Sequence, residues 1–159
     1  MKKITVLMAA IFSLAVPMAS FAADHSGHGG GSKDMGHAGH QGDVAHEQVV
    51  DGVKVTFKVM SMKDHMKSMG MKLPKGMKET HHIAVEFKDA KSGKALTEGE
   101  VKVKVHNPDK TDQTKDLMAM QGHFGADFDL SKKGKYGVMS KFVLKDGKVR
   151  SVKFWYAVK

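Results

Sequence analysis

Methionine and histidine are the residues of this sequence whose types and spacing could do chemistry. The 159-residue chain holds 13 Met and 10 His, and no Cys. Six methionines, Met60, Met62, Met66, Met69, Met71 and Met77, crowd around His65 within residues 60–79, and His81 and His82 follow at once. A thioether is a soft, neutral donor that favours Cu(I), while imidazole takes Cu(I) or Cu(II). Met-x-Met spacing lets two sulfurs converge on one ion from an extended or turning backbone. The structural alternative is a helix face of Met62, His65, Met66 and Met69 that fills a core. A core, however, would mix in branched aliphatics, and Leu73 alone represents them in this segment, which lysines also interrupt. The balance favours copper at the loop, with core filling and a sticky Met-rich partner surface as the competing readings.

A second constellation lies upstream. His25-x-x-His28 and His37-x-x-His40, with His46 beyond, are spaced for a flexible chain to wrap a borderline metal. If a leader is cut after Ala22, the mature chain begins Ala23-Asp24-His25. A third-position histidine can then combine its imidazole, the free amine and two deprotonated amides in a plane that suits Cu(II) or Ni(II). Zinc is a further ion for the histidine pairs, and a plain soluble spacer is the competing reading. A third group, Met118-x-Met120 with His123, reads better as strand packing; whether these residues form a second site stays open. His81 and His82 open a strand and point to opposite faces, so at most one of them joins the Met segment directly.

The lack of Cys removes disulfides, thiolate zinc sites, iron–sulfur clusters and cysteine nucleophiles. There is no G-x-S-x-G, H-E-x-x-H or Walker loop, and no pair of carboxylates in an apolar frame, so no enzyme is expected. The formal charge is +9, yet of 26 basic residues only Arg150 is an arginine. Nucleic-acid readers lean on Arg for bidentate base contacts. Lysines alternating along strands, as at Lys102 and Lys104, read instead as solvated faces.

These residues must be positioned by the rest of the chain. Lys2 and Lys3, the apolar run Ile4–Val16, Pro17 and Ser20-Phe21-Ala22 form a cleavable leader over 1–22, too short to anchor in a bilayer. It points to the periplasm of a Gram-negative cell and to a soluble mature protein, with 24 bases against 17 acids. Residues 23–46 form a Gly/His-rich tail without apolar periodicity, expected to be disordered. From there period two takes over: Val53, Val55, Phe57, Val59; Ile83, Val85, Phe87; Val101, Val103, Val105; Phe124, Ala126, Phe128, Leu130; Tyr136, Val138, Phe142, Leu144; and Val149, Val152, Phe154, Tyr156, Val158. Asp51-Gly52 and Asp146-Gly147 are turn pairs. Six to eight short strands over 47–159, with residues 60–79 as a loop or one short helix, predict an all-β antiparallel sandwich of immunoglobulin-like type. His106 falls on the lysine face.

The run His82-Ile83-Ala84-Val85, then Asp89, Ser92-Gly93-Lys94, Leu96 and Val101, with Met118/Met120 and Gly134-Lys135-Tyr136, resembles the YtkA-like domain. That family implies a small exported immunoglobulin-like sandwich near copper-handling proteins of the CopC type. The resemblance covers Thr80 to Lys159; Asp146-Gly147 stands well apart from Trp155, unlike the family's Gly-x-Trp start of the last strand. Gly134-Lys135-Tyr136 also resembles a tyrosine corner, in which the phenol bonds to upstream backbone, although an ordinary strand tyrosine would leave the same trace. The expectation is a periplasmic copper chaperone, buffer or resistance factor that takes Cu(II) on the tail and Cu(I) at the loop. The rival is a non-metal interaction module that docks on another periplasmic or membrane-bound protein.

Overall fold

The computed structural model describes residues 42–159; the leader at 1–22 and the tail histidines His25, His28, His37 and His40 lie outside the described residues. The alternating sequence becomes eight strands: β1 (Asp43–Val50), β2 (Val53–Ser61), β3 (His81–Asp89), β4 (Gly99–His106), β5 (Asp112–Met120), β6 (His123–Phe128), β7 (Gly134–Leu144) and β8 (Val149–Val158). One helix, α1 (Met62–Ser68), follows β2. Among the described residues no helix is long and apolar enough to cross a membrane. β1 begins at Asp43, ahead of the expected domain start at 47, because its residues pair with β2 up to Asp43↔Val59.

All pairings are antiparallel, in the order β1-β2-β3-β6-β5-β4-β7-β8. β5 serves two layers. Its residues 112–117 pair with β4 and 118–120 with β6, so the strand turns the corner between them. β1 lies beside β8 on the far side, and the sheet is nearly closed. The β4-β5-β6 meander, flanked by β3 and β7, is Greek-key connectivity. The all-β sandwich expected from the alternation is therefore present.

Its core is the inward half of each period-two pattern, including Val55, Phe57, Ile83, Val85, Val103, Phe124, Phe128, Val138 and Phe142. Each such side chain contributes about 1.5–3 kcal/mol on burial. One phase differs from expectation. Val149 is 60% exposed and Arg150 takes the inward place at 4%. The three-residue step from Val149 to Val152 signals this, since only even-numbered residues of β8 share the core face. The Arg150 guanidinium is held bidentately by Asp146, Nη1 to Oδ1 at 3.0 Å and Nη2 to Oδ2 at 2.6 Å, and Nη2 also reaches the Asp51 carbonyl at 3.4 Å.

The two Asp-Gly pairs fold differently. Asp51 (φ 46°) and Gly52 (φ 75°) both sit left-handed and close a two-residue hairpin. Asp146-Gly147 lies within a four-residue connection, 145–148, with the Gly147 N–H donating to Leu144 O at 2.9 Å. Tyr136 is a tyrosine corner: its hydroxyl donates to Lys132 O at 2.7 Å and accepts from Lys132 N–H at 3.0 Å.

α1 starts where Ser61-x-x-Asp64 supplies a cap. Ser61 Oγ accepts from the Asp64 N–H at 3.1 Å and donates to Asp64 Oδ2 at 2.6 Å. Seven residues cannot hold a helix alone. Tertiary contact does so: Met62 N–H donates to Thr80 O at 2.7 Å, and Met62 and His65 are buried against β2 and β3.

Candidate metal centre

Strand phase decides which side chains meet. Ile83, Val85 and Phe87 of β3 face the core, so His82 and Ala84 face outward; Phe124 and Phe128 of β6 do the same for His123, Gly125 and Asp127. β3 and β6 pair with His82↔Asp127 and Ala84↔Gly125, and β5 brings Met120 opposite His123. An outward face would ordinarily be wet, but here α1 lies nearby, and His65, His82 and His123 are all buried.

His65 and His82 stack face to face, with centroids 3.9 Å apart and planes 4° from parallel. His123 meets His82 edge-on at 6.2 Å. His82 Nδ1 donates to Asp127 Oδ1 at 2.7 Å. That bond holds the Asp127 carboxyl below the usual carboxylate range, against the opposing effect of burial and with help from Lys115. A carboxylate accepts only, so the bond fixes the His82 tautomer and leaves Nε2 as the donor atom. A Cβ built on Gly125 would lie 2.6 Å from His82 Nε2 and 2.9 Å from the Met120 methyl. Gly125 is thus the bare floor over which the imidazole and the thioether of Met120 approach.

One donor atom each from His65, His82 and Asp127 lie within 4.8 Å of one another, close enough for one ion. Stacked rings keep their nitrogen lone pairs in parallel planes, so one ring has to turn for both nitrogens to reach it. With Asp127 engaged by His82, the carboxylate acts as the group that orients an imidazole. Two or three imidazoles with a neighbouring thioether fit a soft or borderline metal ion.

The candidates from the Met segment are separated by the fold. Met60 is buried in register with His82, while Met62 and His65 are the buried residues of α1 itself. Met66 and Met77 are half-buried, and Met69 and Met71 are exposed, because the helix stops at Ser68 and carries them past the covered face. Of the adjacent pair, His82 takes the outward face and meets His65. His81 bonds Thr80 Oγ1 at 2.8 Å and lines a cleft with Asp43, Met60, Asp64 and Lys67; burial pushes its imidazole below the usual range. Met118, opposite Gly125 on β5, is 71% exposed. His106, on the lysine face as expected, bonds Asp112 at 2.6 Å. Met120 and His123, read from sequence as strand packing, join the same centre as His82, and Asp127 was missed. The signal was the phase of β6: with Phe124 and Phe128 inward, His123, Gly125 and Asp127 must share the other face.

No protein-family model and no curated protein matches the chain. Solved structures do resemble its fold. FetP of uropathogenic Escherichia coli strain F11, as isolated after expression in the periplasm of E. coli, superposes with a TM-score of 0.55 at 12% identity, over 72% of this chain and 93% of that one. A copper-bound variant of the same FetP gives 0.56 at 13% identity, over 72% and 94%. A DUF4426 family protein from Pseudomonas aeruginosa PAO1 gives 0.53 at 15%, over 71% and 93%. At these identities the likeness establishes a shared sandwich fold.

Proposed function

We propose that this chain is an exported periplasmic protein that binds copper without catalysing a reaction, as a chaperone, buffer or resistance factor. The observation that carries this reading is the buried His65–His82 stack with Asp127 fixing the His82 ring. The donors are His82 Nε2, His65 and His123, with the Met120 thioether beside them. Such a set suits Cu(I), and its imidazoles also accept Cu(II). The copper carried by the FetP variant, which shares the fold, supports the reading, as does the leader expected from the sequence of residues 1–22. The tail histidines His25, His28, His37 and His40 would take Cu(II) first, and the exposed Met69 and Met71 would offer Cu(I) weaker, transient contacts on its way.

Anaerobic competition titration with Cu(I) tests the assignment. His82→Asn and His65→Asn are each expected to weaken binding at least about a hundredfold while circular dichroism keeps the sandwich signature. The triple change Met66→Leu, Met69→Leu and Met71→Leu conserves volume and is expected to alter affinity less than about threefold. The opposite pattern would return copper to the Met loop and overturn the buried centre.

A further inference from the structure

The outward face of β7 and β8 is unlike the rest of the surface. Alternation brings Lys135, Met139, Lys141, Val143, Val149, Lys153 and Trp155 to one side, with no acidic residue on either strand's outward positions. Trp155 is 69% exposed and leans over Gly137, where a Cβ would meet its ring at 3.3 Å. On the adjoining β4–β5 half of the same layer the lysines are neutralised: Lys102 pairs with Asp116 at 3.3 Å and Lys104 with Asp112 at 2.6 Å. Lys135, Lys141 and Lys153 take part in no ion pair among the described residues. The nearest acid by register is Glu100, opposite Val143.

We propose that this face docks on an anionic phospholipid surface. Trp settles at the headgroup level, where its ring is apolar and its N–H wet. Lysine stems lie along apolar surface while their ammonium groups reach phosphates. Each lysine near a negatively charged membrane strengthens attachment about fivefold. A second copy of the chain is a poor occupant, since it would set these uncompensated lysines against their own counterparts. Protein interfaces are enriched in Arg and depleted in Lys, and this face has lysines alone. Lipid headgroups, which ask only for positive charge and a shallow aromatic anchor, match it best.

Trp155 is the single tryptophan of the chain, so its fluorescence reports on this face alone. The processed protein is mixed with vesicles of phosphatidylglycerol in phosphatidylcholine, and with phosphatidylcholine vesicles. A blue-shifted emission and co-sedimentation are expected with the anionic vesicles only, both fading as salt rises. The triple change Lys135→Glu, Lys141→Glu and Lys153→Glu, with circular dichroism and copper affinity unchanged, is expected to lower co-sedimentation more than about tenfold. Absence of the shift on anionic vesicles, or sedimentation undiminished in the triple variant, overturns the proposal. A face that ignores vesicles but shifts on adding an acidic protein overturns it in favour of a protein partner. Copper titration reads a different region, so this proposal and the copper reading can fail separately.

Discussion

Among the described residues the fold buries arginine and histidine side chains in two places, at opposite ends of β2, and handles them differently. Beside the Asp51-Gly52 hairpin, Arg150 meets Asp146 through two parallel bonds and the Asp51 carbonyl through a third. Fork and carboxylate match, which is the pattern of a structural ion pair. Beside α1, His65 stacks on His82 and His123 meets it edge-on, while Asp127 bonds a single His82 nitrogen. The ligand atoms there are imidazole nitrogens and a thioether, the borderline and soft donors that a copper ion takes. Burial alone does not separate structure from function; the chemistry of the buried donors does.

The largest blow to the contrast is a single methyl. Gly125→Ala places a Cβ 2.6 Å from His82 Nε2, and the ring cannot retreat, since His65 stacks on it and Asp127 holds Nδ1. Copper affinity should fall by more than about a hundredfold, with a stability loss of about 1–3 kcal/mol from overpacking, read by competition titration and urea unfolding. Retained affinity would show that His82 Nε2 does not face the metal. Asp127→Asn is milder. It keeps shape and loses the charge that orients His82, so affinity should drop about 10–100-fold with little change in melting. No change in affinity would demote Asp127 to a bystander.

The smallest effect belongs to the other end. Asp146 is pulled down to about 2 from 3.8 by its bonds to Arg150. A lowered carboxyl contributes stability that is present above the unfolded value and lost as pH falls through the folded one. Urea midpoints should therefore decline between about pH 4 and 2, and Arg150→Met should flatten that decline. Copper binding should also weaken in acid, because protons compete with the ion for its ligands. An equal slope with and without Arg150 would dissolve the distinction between the two clusters.

Much of this was legible in the residues. Runs such as Val53-Val55-Phe57-Val59 set strand phase, and Gly134-Lys135-Tyr136 fitted a tyrosine corner as well as an ordinary strand tyrosine. His65 and His82 both stood among the metal candidates, and the opposed faces of His81 and His82 followed from the pleat. The pairing of β3 with β6 was not legible, because register between distant strands leaves no local mark; hence Asp127 and the convergence of His123 went unread. Met69 and Met71 looked equal to Met62 until the helix proved only seven residues long. Arg150 was disguised by Val149, which supplied an apolar letter in the wrong phase.

His82 and Asp127 stand 45 residues apart in the chain, and every strand contact that unites them is non-local. Loop closure over such spans comes late in folding. On the proposed export route, a chain threaded unfolded through a channel would carry its tail histidines and Met segment as isolated ligands but would have no buried centre. Under that reading, selectivity for the ion would be acquired only after β6 has found β3, at the destination, and the cytoplasmic metal pool would meet no finished site.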